Sequence, residues 1–252
     1  MKLLYKGGLP AHDREPPEWK TRRMEQERNL GRVPVPAALI CVAACGLAFR
    51  RFQLGWGSRP EEVGAELPGD DLITNPGLQA SRSITIHAPT ERVWPWLVQM
   101  GQRRGGLYSY DFLENLAGLD IHSADRIHPE WQDIKVGDPV HLAPTDTGDL
   151  QVALLEPERA LVLRVPPGPA TGPFDFTWSF VLRPEPDRTT RLVVRERYAY
   201  RQWWARFLVE TVEIASFVMS VRMLHGIRRR AEGNLAGNKA GSAAVLLSSP
   251  LA

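Results

Sequence analysis

The sequence predicts an α+β domain in which a curved antiparallel sheet closes over one long C-terminal helix, with a separate apolar helix near the N-terminus. Three observations carry that prediction. Residues 82–101, RSITIHAPTERVWPWLVQMG, read as a strand that turns at a proline directly into a helix. Residues 138–200 break into short apolar runs divided by Pro, Gly and Asp, as antiparallel strands do. Residues 201–230 carry an apolar stripe so wide that only a curved sheet would cover it.

In the opening unit Ser83, Thr85 and His87 alternate with Ile84, Ile86 and Ala88, the period of a strand with one buried face. Pro89 suits a first helical residue, where its missing N–H costs nothing. Glu91 puts negative charge in the first turn, where the helix dipole favours it. Val93, Trp94, Leu97 and Val98 then supply an apolar face, and Pro95 predicts a kink.

Upstream, residues 1–32 are rich in charge and proline without an apolar period, which predicts a disordered charged arm. The next run, VPVPAALICVAACGLAF, opens at Val33, closes at Phe49 and contains no charge. As a helix it reaches about 25 Å against a hydrocarbon core of about 30 Å. Flanking arginines can snorkel and Trp56 can sit at the interface, so residues 33–52 are expected to be a membrane anchor with a single N-terminal span. Six Lys and Arg lie in 13–32 against three in 50–69, a small bias toward a cytoplasmic N-terminus. Two alternatives stay open: a hairpin or helix buried on the domain, or a cleaved leader. For the latter, Val42-Ala43-Ala44-Cys45 is similar to a lipobox that would follow a start at Met24.

Residues 53–80 read as a connector lying on the domain. Ser58 and Glu61 form a capping-box pair at the start of a short helix that Pro68-Gly69-Asp70 ends. After the opening unit, Gly105-Gly106 lacks the context of a phosphate loop and is read as a turn. Asp111 and Glu114 are a second capping-box pair, starting a helix that stops at Gly118.

The clearest strand, FDFTWSFVL, places Phe174, Phe176, Trp178, Phe180 and Leu182 on one face. In the next strand Leu192, Val194, Glu196 and Tyr198 share a face, and Arg191, Arg195 and Arg197 lie opposite. One face of the sheet is therefore aromatic and the other polar. In the final helix Trp204, Leu208, Val212, Ala215, Met219, Met223 and Ile227 form the expected buried stripe. Glu210, Glu213 and Arg222 interrupt it and argue against a membrane span there. The tail over 233–252 is small and polar and is expected to be disordered.

Lys and Arg exceed Asp and Glu by two, so no basic excess points to nucleic acid. Cys41 and Cys45 lie four apart in one apolar run with no distant partner, which argues against a disulfide framework or a zinc site.

The order of elements, and ITIHAPTERVWPWL in particular, resembles the START-like, SRPBCC or polyketide cyclase/dehydrase superfamily. Its opening signature is matched here by Ala88-Pro89, Glu91 and Val93-Trp94. GLYSYDFLENLAGLDIHSADRIHPEWQDIKVGDPV further resembles a largely uncharacterised actinobacterial branch of it. The resemblance spans residues 81–232 and implies a helix-grip fold that holds a hydrophobic ligand between sheet and long helix. It implies little about chemistry, because the fold hosts carriers, sensors and enzymes.

Chemistry is best sought in two places. The loop DIHSADRIHPEW holds His122 with Asp120 or Asp125, a candidate general base and orienting carboxylate. His122 and His128 match no standard metal signature, and a loop whose polar side chains satisfy its own backbone is the plainer reading. Glu196 falls on the aromatic face, where an unpaired carboxylate would titrate high and could act as acid or base. A bulge, or an arginine beside it, would remove that role.

The leading expectation is a membrane-tethered binding or carrier domain for a hydrophobic small molecule or lipid, with the membrane contact made through residues 33–49. Phe174, Phe176, Trp178, Phe180, Tyr198, Trp204 and Leu208 would line its cavity, with Tyr108, Tyr110 and Trp131 as further lining residues and His122 and Glu196 as polar anchors. No cofactor or metal is expected. Two alternatives stand beside it: a cyclase, dehydratase or hydrolase-type enzyme, without metal, using His122 and an acidic partner, and a protein-interaction domain with a filled core.

Overall fold

A computed structural model describes residues 17–20, 22–23, 35–144, 149–168 and 172–247, with side chains described as far as residue 233. The arm expected over 1–32 lies mostly outside the described residues, as do the side chains of the tail. The chain divides into two compact units, Met1–Phe49 and Arg50–Ala252.

Helix α1 (Val35–Leu54) carries the apolar run. Its stretch Pro36–Leu54 is long and apolar enough to cross a membrane, and only 6% of it is buried.

The larger unit contains α2 (Pro60–Gly64), β1 (Leu78–Ile86), α3 (Thr90–Val98), α4 (Asp111–Leu116), β2 (Pro139–Val140), β3 (Leu150–Glu156), β4 (Ala160–Arg164), β5 (Phe174–Glu185), β6 (Thr189–Tyr200) and α5 (Ala205–Leu247). The strands form one antiparallel sheet in the order β1-β6-β5-β4-β3-β2. This curved sheet with its long C-terminal helix is a helix-grip architecture. The strand β1 begins before Arg82, so the opening strand is longer than its alternation alone indicated. Helix α5 continues past the boundary expected at 232.

One core lies between the inner face of the sheet and the helices. It joins Ile84, Ile86, Leu192, Val194, Phe180 and Leu182 to Val93, Trp96 and Leu97 of α3 and to Met223, Leu224 and Ile227 of α5. Trp96 is fully buried where Trp94 had been expected, and Trp94 is half-buried. Pro95 lies inside α3, and the helix continues to Val98.

The polar outer face of β6 is covered rather than solvated. Arg191 makes a bidentate pair with Glu62, both contacts at 2.8 Å. Arg195 and Arg197 share Asp70 at 2.5 and 2.8 Å. The connector thus lies on the sheet and is fastened by charge-assisted hydrogen bonds.

Both capping boxes read from the sequence are corrected. With Pro60 as the first helical residue, Arg59 is the cap of α2, and its N–H donates to Glu62, not Glu61, at 2.8 Å. The Ser58 hydroxyl instead donates to the Ser81 carbonyl at 2.8 Å. In α4 Tyr110 is the cap, so Asp111 is already helical. Its carboxylate accepts the Ser123 N–H and O–H at 2.7 and 2.6 Å.

The largest correction concerns α5. Its first half is buried along a single line, at Ala205, Val209, Glu213 and Ser220. The stripe expected inside is turned outward there: Trp204, Leu208 and Val212 are each about half exposed, as are Ile214 and Val218. A step of one residue rotates a helix by about 100°, so the line that meets the sheet is not the most apolar line.

Candidate functional site

Strand pairing places Ala80 opposite Glu196 and Arg82 opposite Val194. Arg82 and Glu196 are therefore diagonal neighbours on the inner face of β1 and β6. Their side chains meet at 3.0 Å with almost no exposure. From above, α5 contributes Glu213, whose Oε1 accepts from the other terminal nitrogen of Arg82. The Arg82 Nε donates to the Gln53 carbonyl at 3.1 Å. The guanidinium lies 5.5 Å from the Phe217 ring centroid.

Glu196 is fully engaged. Its Oε1 also accepts from Ser220 at 3.0 Å, and its Oε2 accepts from Ser216 at 3.2 Å. Glu213 is not, because its Oε2 has no hydrogen-bond partner among the described residues. Two carboxylates thus share one guanidinium, and all three side chains are almost fully buried. Burial, with the Glu196 charge beside it, raises the Glu213 pKa to about 7. Burial also lifts the Tyr198 hydroxyl well above its ordinary range, which keeps it neutral.

Beside this cluster is a cavity of about 160 Å³ lined by Phe174, Tyr198, Leu208, Val209, Val212 and Glu213. Apart from Glu213 and the Tyr198 hydroxyl the lining is apolar. A wider, open groove of about 520 Å³ runs along α5 past Tyr110, Arg222, His225, Arg228, Arg229 and Glu232. Its charged groups are partly committed, since Arg228 pairs with Glu232 at 2.9 Å and Arg222 lies 5.4 Å from the Tyr110 ring centroid.

Of the residues expected to line a cavity, Phe174, Tyr198 and Leu208 do so. Phe176 packs on Tyr198 with centroids 4.6 Å apart, and Trp178 packs on Phe180 at 4.8 Å. Phe180 has no exposure and belongs to the core. Tyr108 is also core, where its hydroxyl donates to the Trp96 carbonyl at 3.0 Å. Tyr110 and Trp204 are each a little under half exposed, and Trp131 stacks on His128 at 4.1 Å.

The loop residues do not converge on the cavity. His122 lies 3.2 Å from Asp120, with the two side chains 79% and 65% exposed. That pair sits in solvent, which offers a reacting group no shelter. Asp125 faces Arg230 at 3.3 Å rather than His122. His128 holds Glu130 at 3.0 Å, and its backbone N–H donates to Gln99. The loop therefore satisfies its own polar groups. Among the described residues no three His, Cys, Asp or Glu side chains converge as a metal site would require.

Arg82 and Glu213 are the site residues that sequence reasoning passed over. The signal for Arg82 was present, because it has the parity of Ile84 and Ile86 and so points inward. Glu213 was read as a break in the stripe, when it marks the line that touches the sheet.

No protein-family model matches the chain, and no curated protein is similar to it. Among solved structures, the chain is similar to the Polyketide_cyc-like protein Cgl2372 of Corynebacterium glutamicum at 17% identity, covering 62% of this chain and 93% of that one, with a TM-score of 0.37. For protein NE0264 of Nitrosomonas europaea the identity is 13%, the coverage 63% and 97%, and the TM-score 0.41. Protein MLL2253 of Mesorhizobium loti gives 15%, 62% and 97%, and 0.37. At TM-scores below 0.5 these likenesses carry no statement about function, and what this site does is read from its own side chains.

Proposed function

We propose that this chain is a membrane-tethered module that binds a hydrophobic small molecule, or the apolar end of a lipid, between the sheet and α5. The observation that carries the proposal is the cavity of about 160 Å³, apolar on nearly every wall, set between two sheet aromatics and the first half of α5. A water occupies about 30 Å³ of liquid, so this space takes a short alkyl segment rather than a whole lipid. Small-molecule sites commonly combine such apolar walls with one or two placed polar groups, here Glu213 and Tyr198.

Tethering is supported by the length of the apolar stretch Pro36–Leu54. It is supported also by α5, where Trp203 is 79% and Phe207 66% exposed beside Ile214 and Val218. Clustered exposed apolar side chains of this kind mark a contact surface, and tryptophan favours the membrane interface. The larger unit begins at Arg50, which pairs with Glu210 of α5, and Phe52 meets Phe217 with centroids 5.9 Å apart.

The test is native mass spectrometry of the full-length chain extracted gently from its host membrane. A single lipophilic species at near-stoichiometric amount is expected, and Val212→Phe, which fills the cavity, should release it without unfolding the protein. Protein that arrives empty, and stays empty when offered a lipid extract, would overturn the proposal.

A further inference from the structure

We infer that the cavity beside Glu213 is a site for a lipophilic amine, whose ammonium group takes the Glu213 oxygen that no protein group satisfies while its alkyl chain lies among Leu208, Val209 and Val212. This rests on the binding reading above and names the chemical class of the ligand.

The charge balance leads there. Arg82, Glu196 and Glu213 are 1%, 4% and 0% exposed at their side chains, so two carboxylates are buried against one guanidinium. Arg82 has donors on Gln53, Glu196, Ser220 and Glu213 and is spoken for. Glu196 accepts on both oxygens. Arg50, the other cation near Glu213, is held bidentately by Glu210. Two acceptors of the cluster are unmet among the described residues, the Gln53 amide oxygen and Glu213 Oε2, and of the two residues Glu213 is the one that lines the cavity. A buried carboxylate oxygen without a donor is costly, and a charge-assisted donor is the strongest partner available to it.

The walls fit the same ligand. Phe174 and Tyr198 meet edge to face with centroids 5.6 Å apart, and aromatic rings attract a desolvated cation. A carboxylate ligand would bring a third negative charge to a site that already has a surplus of one. An alcohol would meet the hydrogen bond and leave the charge unbalanced.

The experiment measures binding of n-hexylamine, n-hexanol and hexanoate to the full-length chain in lipid nanodiscs by calorimetry. It is run at pH 8, above the value of about 7 to which burial lifts Glu213. Hexylamine should bind tighter than hexanol by about tenfold or more, as one charge-assisted hydrogen bond would supply, and hexanoate should bind weakest. Glu213→Gln should erase the preference for the amine, bringing the ratio of amine to alcohol affinity to about one. Because that variant could disturb the fold, Val212→Phe is measured beside it and should abolish binding of all three probes. Equal binding of amine and alcohol, tighter binding of hexanoate, or an amine preference that survives Glu213→Gln would overturn the amine assignment and leave the binding reading standing. No binding of any probe to the wild-type chain would overturn the binding reading itself.

Discussion

Arg82 and Glu196, 114 positions apart in the chain, meet at 3.0 Å on the inner face of a sheet whose other inward side chains are mostly apolar. An ion pair so placed costs desolvation on both sides and persists because each charge has further partners. Removing one partner should therefore cost far more than the pair contributes. Arg82→Met leaves two carboxylates buried without a cation and should destabilise the fold by about 3–5 kcal/mol. The triple variant Arg82→Met, Glu196→Gln, Glu213→Gln removes every charge and should recover most of that loss. Denaturant unfolding measures both, and a triple variant no more stable than the single one would show that the charges are not what the cluster balances.

Titration of the same cluster sets a pH dependence. Burial, with a like charge nearby, raises Glu213 to about 7, and the same two causes raise Glu114 to about 7 beside Asp111. Each binds its proton more tightly folded than unfolded, so the stability it contributes is complete below about pH 4.5 and is lost as pH rises through about 7. Glu62 is opposite in sign: its burial is outweighed by Arg191, so it titrates low and matters only on the acid side. Stability should fall between pH 5 and pH 8.5 by roughly 1–3 kcal/mol for each raised group, and the melting temperature with it. Glu213→Gln and Glu114→Gln should each flatten part of that slope. A melting temperature that rises across this window would contradict the assignment.

Much of the fold was legible because periodicity reports which face of an element is apolar. Alternation in FDFTWSFVL put Phe180 and Leu182 inside, and parity in β6 separated Leu192 and Val194 from Arg191 and Arg195. Periodicity does not report which neighbour covers a face. The outer arginines read only as a polar face because the acids that bury them, Glu62 and Asp70, come from a connector about 130 residues earlier. In α5 the apolar stripe and the contact line differ by one residue, and hydrophobicity alone favoured the stripe. The site was half legible for the same reason: Glu196 stood out as a carboxylate among aromatics, while its partners depended on long-range pairing.

The outward stripe of α5 predicts a sharp contrast among large aromatics. Trp96 is 1% exposed, and Trp96→Ala should cost about 3–5 kcal/mol through the cavity it leaves. Trp203→Ser and Phe207→Ser should change stability by no more than about 0.5 kcal/mol, because those side chains are exposed. Their cost should appear at the membrane. A fluorophore on Phe207→Cys, with Cys41 and Cys45 replaced by serine, should be quenched by nitroxide-labelled lipid in nanodiscs. An unquenched probe would remove the membrane as what covers this face.

The seat of α5 on Tyr108 gives the last prediction. A Cβ built on Gly226 would lie 2.2 Å from the Tyr108 carbonyl oxygen and 2.9 Å from its Cβ. Neither neighbour can yield cheaply. Tyr108 itself holds a positive φ of 57°, its hydroxyl is bonded to Trp96, and Arg230 stacks 4.7 Å from its ring centroid. Alanine normally favours a helix by about 1 kcal/mol over glycine, so at an uncrowded position Gly226→Ala would stabilise α5. Here the close backbone approach should reverse the sign, because the helix must move off Tyr108 and open the core at Met223 and Ile227. Gly233, which has open space around it, provides the control. Gly226→Ala should lower the melting temperature while Gly233→Ala leaves it unchanged or raises it, and equal effects at the two positions would show that α5 does not rest on Tyr108.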